Sequence, residues 1–439
     1  MTGTREGTVH DLVGVGVGPF NLSVAALADE LDDLSVAFLD ENPEFSWHPG
    51  LLIEGTTLQV PFLADLVTLV EPSSRWSFLS YLKAHERLFP FFFAEKFHIS
   101  RREYSDYCAW VAHSLPSCVF GRRVTAVRWD EGREAFRVES EDVRTATREV
   151  TFGRNVVLGV GTAPTVPEPL RGVLGKEVFH SASYLDHVDS LREAEDITVI
   201  GSGQSGAEVF LDLLRTQQHT GGRLRWLTRS RAFAPMEYSK LGLEHFTPDY
   251  TEYFRSLPQR TRDRVVPEQW QLYKASSADT LAEIHDVLYE RSLGGRRPDV
   301  TMMPNVAVTE ARHSEHGVEL SCHHVEQDRD FDVRTDRVVL ATGYAPSRPS
   351  CLEPLAELVD LDELGRYRID GDHRVALDDG VTGGLYAQNA EMHTHGVGAP
   401  DLTLGAHRAA TILNAVAGRD RAPFTLPTRS AFTTFGVTP

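Results

Sequence analysis

The chain has 439 residues, with 63 acidic against 44 basic side chains, a formal charge of −19 and 41% hydrophobic content. That describes two or three domains with ample material for large cores, and the acidic balance argues against a nucleic-acid binder, whose footprint would be basic. Four scattered cysteines (Cys108, Cys118, Cys322, Cys351) without a CxxC argue against a disulfide scaffold, a cysteine-rich zinc site or a local dithiol pair. The start, MTGTREGTVHD, has no apolar signal core, and no apolar run reaches the ~18 residues of a membrane span, so a cytoplasmic chain without membrane contact is expected.

The first predicted unit is the apolar run Asp11-Leu-Val-Gly-Val-Gly-Val-Gly-Pro-Phe-Asn21, which ends in a glycine turn and opens into a helix over Leu22–Leu31. In a dinucleotide-binding unit the first glycine permits a tight turn and the second lets backbone N–H groups approach a pyrophosphate, while the helix N-terminus supplies a favourable field. Gly14 and Gly16 take those roles, with Gly18 beside them and Pro19 in place of the third glycine. The next strand, Ser35–Asp40, ends in an acid where a ribose-binding carboxylate belongs. A third apolar strand, Asn155–Thr162, runs into the proline-rich stretch Ala163–Pro169, which suits a crossover between domains.

Downstream the pattern repeats. After the strand Asp196–Ile200, Gly201, Gly203 and Gly206 complete GxGxxG and a helix follows from Ala207 to Arg215. The strand Arg223–Arg231 ends without an acid and carries Arg229 and Arg231, which suit a 2′-phosphate and so favour NADPH over NADH. Residues 233–290 turn polar and helical (Glu268–Ala275, Asp279–Arg291), predicting a small helical substrate region. Asp336–Tyr344 is a further apolar strand, with Ala345-Pro346 as the second crossover. The expectation is an α/β chain of two Rossmann-like dinucleotide-binding domains, the first spanning 8–165 and 333–424 and the second, 166–332, inserted within it.

Val15-Gly-Val-Gly-Pro-Phe-Asn-Leu-Ser23 resembles the opening of the N-hydroxylating flavin monooxygenases, the lysine, ornithine and diamine N-monooxygenases of hydroxamate siderophore biosynthesis. Phe45-Ser-Trp-His48, Leu58-Gln-Val-Pro-Phe-Leu63, Arg101-Arg-Glu-Tyr-Ser-Asp-Tyr107, Gly201-Ser-Gly-Gln-Ser-Gly-Ala-Glu208, Ala341-Thr-Gly-Tyr344 and His393-Thr-His-Gly396 are similar to the same family. The resemblance implies FAD in the first domain and NADPH in the second. It also implies oxygen transfer from a C4a-hydroperoxyflavin to a primary amine, with the flavin carrying the difficult chemistry. It places Gly14, Gly16, Gly18, Pro19, Asp40, Trp47, His48 and Gln59 around FAD, with Gln59 beside the isoalloxazine as the catalytic neighbour. Gly201, Gly203, Gln204, Ser205, Gly206 and Arg229 fall to NADPH. The stretch from His395 to Thr403, ending in Leu402 and Thr403, is expected to close over the flavin beside the substrate. A homodimer or homotetramer is implied by the same analogy.

One departure addresses the substrate. Where amino-acid hydroxylases of the family carry a lysine for the substrate carboxylate, this chain has Ala64. Ala64 offers a carboxylate nothing, whereas a diamine such as cadaverine or putrescine brings no carboxylate and needs an anion for its distal ammonium. Asp401 is the first candidate for that anion, with Glu237, Glu244 and Glu391 behind it. The alternative reading is an L-lysine N6-monooxygenase with a displaced cation. His393 and His395 form an HxH, but no carboxylate or thiol spacing completes a metal site, and no metal is expected. A pyridine-nucleotide disulfide reductase lacks its cysteine pair here. A Baeyer–Villiger enzyme meets only the HxxxY of His180–Tyr184, with Lys176 standing where its glycine belongs.

Overall fold

The computed structural model describes residues 8–437. The first sheet runs in the order Arg374–Val375, Gly384–Ala387, Arg148–Leu158, Val9–Val15, Val36–Leu39 and Cys118–Val119. From Gly384–Ala387 to Cys118–Val119 the strands are parallel, and the antiparallel hairpin Arg122–Asp130/Ala135–Asp142 is added on Arg148–Leu158. The central strands are near-continuous apolar runs because both their faces are covered. Leu12, Phe38 and Val157 point to the helices Pro19–Ala28, Arg101–Ser114 and Gly405–Ala417, and Val13, Leu39 and Val156 point to the hairpin and the 350–385 region.

The second sheet is wholly parallel, in the order Val300–Met303, Arg223–Leu227, Asp196–Ile200, Arg337–Leu340, Val178–His180. Its Val199 and Trp226 pack under the helices Gln204–Thr220 and Ala278–Ser292 with Phe210, Leu214 and Ile284. Ile200, Leu227 and Leu340 face a three-stranded antiparallel sheet, 306–335. The domain boundary expected at 333 needs correction: Arg337–Leu340 is a middle strand of the second sheet, held between Ile197–Ile200 and Val178–His180. The chain returns to the first domain only past Tyr344–Pro346, which pairs antiparallel with Thr162–Pro164, so the two crossovers are hydrogen-bonded to one another.

The expected helical region is present but divided. Pro248–Ser256, Gln259–Glu268 and Trp270–Tyr273 form a small cluster in which Tyr250, Phe254 and Leu272 pack against Val397. Ala278–Ser292 departs from the expectation: it lies on Gln204–Thr220, with Ile284 in the second core and Arg215 paired to Glu283. Among the described residues no helix is long and apolar enough to cross a membrane.

One buried ion pair bolts the two domains together. Arg101 opens a helix of the first domain, capped by the Ser100 hydroxyl, and its guanidinium meets Glu208 of the second at 2.8 Å, with the carboxylate side chain 4% exposed. Removing one partner leaves the other charge buried and uncompensated. Glu208→Gln is therefore expected to destabilise the protein by on the order of 3 kcal/mol, read as a lowered thermal midpoint with FAD bound. An unchanged midpoint would show that the pair carries no inter-domain load.

Candidate active site

A cavity of about 580 Å³ opens at the carboxyl end of the first sheet. Its floor is the first glycine turn. Gly16 has φ +87°, and a Cβ there would stand 2.6 Å from the Gly159 carbonyl oxygen. Gly18 precedes the helix Pro19–Ala28, whose N-terminus faces the cavity through Pro19 and Phe20. Asp40 closes one side: one carboxylate oxygen accepts the Val17 N–H at 2.7 Å and the other accepts from Asn42. Trp47 and His48 line the wall, and His48 lies edge-on to Tyr344 of the return crossover at 5.7 Å. Desolvation first, and Arg101 second, push the His48 pKa down to about 4, which keeps its ring neutral.

Gly14 is not part of that lining. It sits inside the strand, where a Cβ would fall 2.0 Å from the Phe38 ring, and the positive φ of the turn belongs to Gly16. The tight-turn role expected of Gly14 falls to Gly16, and Gly14 instead makes room for the Phe38 ring between strands. Sequence reasoning left Asn21 without a role, although it stands in the opening motif. Fully buried, its amide donates to the Gly16 carbonyl at 2.8 Å and accepts from Gln388 at 2.7 Å. Gln388 also lines the cavity, and its Oε1 is buried without a partner.

Three distant segments meet beside Pro400 and Leu402 of the cavity, although Gln59, Ala64, Tyr238 and Asp401 are not among its lining residues. Gln59 accepts a hydrogen bond from the Tyr238 hydroxyl at 3.3 Å, and its Nε2 is buried without a partner. Tyr238, absent from the expectations, is raised in pKa by burial and then by the charge of Asp401, which lies close by. Asp401 caps a short turn by accepting the Thr403 N–H at 2.8 Å, while its neighbours Pro400 and Leu402 line the cavity. Burial raises the Asp401 pKa from its ordinary value, and the hydrogen bonds from Thr403 only partly offset it. Ala64 is buried in the turn that follows Pro61.

Arg408 and Glu391, both fully buried, form an ion pair at 2.9 Å behind this loop. Arg408 also donates to the Ala399 carbonyl at 2.6 Å and stacks over Phe20 at 4.5 Å. Glu391 is therefore taken. Glu244 is also corrected: both its oxygens accept backbone N–H groups of the C-terminal tail, from Phe432 and Thr433. Glu237 accepts from Ser239. His393 bonds the Tyr367 carbonyl, and His395 stacks on His373 at 4.2 Å. The HxH thus parts in two directions.

At the second glycine turn Gly201 has φ +115° and a Cβ would meet the Ala341 carbonyl oxygen at 2.2 Å; at Gly206 it would meet that of Gly201 at 2.1 Å. Ser205 stands in the first turn of the helix that Gly203 caps. Gln204 is a brace: its amide donates to Glu208 and Thr280 and accepts from the Ser277 N–H, tying down the segment that lies against the turn. Arg229 and Arg231 are exposed just past the strand Arg223–Leu227 and make no ion pair among the described residues.

A glycine cradle closed on backbone, a helix N-terminus, an oriented acid and unpartnered buried amides from Gln59 and Gln388 fit a flavin dinucleotide; the second turn with its open arginines fits a phosphorylated nicotinamide dinucleotide. This is the class of two-dinucleotide-domain flavin oxygenases. Residues 8–346 match the family model described as L-lysine 6-monooxygenase/L-ornithine 5-monooxygenase, and the chain belongs to that family. It is 42% identical over 428 residues to a putrescine N-hydroxylase of Shewanella oneidensis, covering 98% of this chain and 84% of that one. Among solved structures it superposes with TM-score 0.94 and 36% identity on the FAD-bound cadaverine monooxygenase of the desferrioxamine pathway of Erwinia amylovora, covering 98% and 99% of the chains. With an ornithine N-hydroxylase of Kutzneria, solved with reduced FAD, NADP+ and L-ornithine, the TM-score is 0.87 at 28% identity, covering 94% and 100%.

Two outcomes follow. Gly16→Ala must adopt a left-handed backbone, costing ~1–2 kcal/mol before the Gly159 clash is counted, so the purified variant should lack the visible flavin spectrum that the wild type shows. The second outcome concerns pH. Burial holds His373 and His395 well below 6.5, so below that pH the unfolded chain binds protons that the folded chain refuses. Stability should fall as pH drops through 6.5, each histidine adding a slope of ~1.4 kcal/mol per pH unit. Denaturation of wild type and His373→Gln across that range should show the smaller slope in the variant.

Proposed function

We propose that the chain hydroxylates one amine of an aliphatic diamine, cadaverine or putrescine, using FAD, NADPH and O₂, as a step toward a hydroxamate siderophore in the cytoplasm. The observation that carries the reading is the full-length agreement with enzymes named for putrescine and cadaverine. The neutral, buried Ala64 at the position of the family's carboxylate-binding lysine supports it. Bound flavin, once reduced, supplies the activated oxygen atom. The protein's own residues bind, orient and exclude water.

In this reading Asp401 would take the distal ammonium, with Tyr238 nearby, and Gln59, whose Nε2 is buried without a partner, would donate to the flavin or the reacting nitrogen. An alkylammonium has a pKa of ~10.4 in water, so the reacting amine must be deprotonated on entry. Burial favours the neutral form, because a dry wall penalises the charge. His48, Trp47 and Leu402 form part of that wall. Arg229 is assigned to the 2′-phosphate of NADPH.

Formation of hydroxylamine per NADPH oxidised, measured across cadaverine, putrescine, lysine and ornithine, tests the substrate. Coupled turnover is expected with the diamines, and coupled turnover with lysine alone would replace the reading by a lysine N6-monooxygenase. Asp401→Asn should raise the diamine KM by ~10-fold or more, since a buried charge-assisted bond is worth ~1.5–3 kcal/mol, with NADPH KM unchanged. In the wild type diamine binding should weaken on acidification at a pH above the ordinary carboxylate range of ~3.9, because the raised pKa of Asp401 neutralises it sooner. Arg229→Ala should raise KM for NADPH and leave that for NADH as it is; equal effects would remove the phosphate role.

A further inference from the structure

Gln59 is short of one partner. Its amide oxygen accepts the Tyr238 hydroxyl at 3.3 Å, and its Nε2 is buried with no partner among the described residues. A buried donor left in that state points to a ligand, because an unmade hydrogen bond costs its desolvation. The two ends of a glutamine amide are nearly equal in size and its last torsion is two-fold, so packing alone does not choose which end faces the flavin. Reversed, the side chain would present an oxygen there and donate nothing.

We propose that Tyr238 makes that choice, as a positioning residue that holds the Gln59 amide with its N–H toward the flavin; the inference rests on the reading of Gln59 given above. The Tyr238 hydroxyl has two acceptors in reach, the Gln59 amide oxygen and the Met236 sulfur, each at 3.3 Å. A thioether is the weaker acceptor, so the proton goes to Gln59 and fixes the oxygen end. Burial, and then the charge of Asp401, push the Tyr238 pKa up, which keeps that proton in place across the neutral range.

The contact crosses between domains. Gln59 belongs to the first, and among the described residues no group of that domain bonds its amide. Tyr238 belongs to the inserted one, on a segment tied to the second glycine turn. The Met236 N–H donates to the Ser276 carbonyl at 2.7 Å, and the buried Ser276 hydroxyl donates to the carbonyl of Ser202, between Gly201 and Gly203, at 2.9 Å. The turn that fits the nicotinamide nucleotide therefore fixes the backbone two residues from Tyr238. Gln59 is oriented only while the two domains stand in this arrangement.

The test compares the full FAD-loaded chain as Tyr238→Phe, which removes only the hydroxyl, as Gln59→Leu, which removes the amide, and with both changes. The amine is the one that couples best in the screen above. Tyr238→Phe should form roughly 3- to 10-fold less hydroxylamine per NADPH oxidised, the effect of one neutral hydrogen bond, with the unused oxygen leaving as hydrogen peroxide. KM for NADPH, bound flavin and thermal midpoint should stay as in the wild type. The visible absorption bands of the resting flavin should move in the same sense as in Gln59→Leu. The double variant should be no worse than Gln59→Leu alone, because the hydroxyl then has no amide to orient. Losses that multiply in the double variant, or a Tyr238→Phe protein with wild-type coupling and wild-type bands, would overturn the proposal and leave Gln59 its role. A Gln59→Leu protein unchanged in both readouts would remove the reading of Gln59, and this proposal with it.

Discussion

The molecule depends on one close approach of backbone to backbone. Gly16 can lie against the Gly159 carbonyl only without a Cβ, and Asn21 then locks the contact from behind by bonding the turn's own carbonyls. The backbone hydrogen bonds Gly16 N–H to the Leu39 carbonyl and Gly159 N–H to the Val15 carbonyl gather three strand ends at one point, and the cavity is the gap they leave. An open parallel sheet binds ligands at such a point because several strands and a helix N-terminus converge there. Every other feature of the site is placed relative to it.

The buried charges occur where segments far apart in the chain must meet. Arg101 with Glu208 joins the domains; Arg408 with Glu391 joins the last helix to the loop that closes the cavity. Burying a pair costs desolvation that its attraction barely repays, so neither is a source of net stability. Their effect is positional. A guanidinium that must satisfy Glu391, the Ala399 carbonyl and the face of Phe20 at once admits one arrangement of the loop and few others.

Much of this was legible in the sequence, for a physical reason. Strand–glycine–helix units declare themselves through short-range geometry, and two of them in one chain, with proline-marked crossovers, dictate an inserted domain. The boundary was misplaced because Val338, Val339 and Leu340 are equally apolar in either sheet; only pairing with Ile197–Ile200 decides their membership. Gly14 looked like Gly16 because a motif does not distinguish a glycine needed for φ from one needed for room beside Phe38. Tyr238 gave no signal at all: it lies in a stretch without periodicity, and its value comes from meeting Gln59 and Asp401, two contacts that no local pattern encodes. Glu244 failed for the converse reason, since its partners belong to the tail and a lone acid carries no sign of what will bond it.

Selectivity between an amino acid and a diamine is a difference of charge at the far end of the substrate, and under the proposed reading Ala64 and Asp401 would address it in different ways. Ala64 removes a cation by deletion, which needs no support: a methyl group in a packed turn is stable wherever it lands. Supplying an anion is harder, because Asp401 must stay ionised in a place whose burial favours its neutral form. The Thr403 N–H, and more weakly the nearby Arg408, lower that pKa, but burial outweighs both. Arg408 therefore acts on the loop twice, once through the Ala399 carbonyl that fixes where the acid stands and once through a field that offsets part of the acid's desolvation. Under the proposed reading, a residue away from the substrate thus helps to position the acid that would meet it.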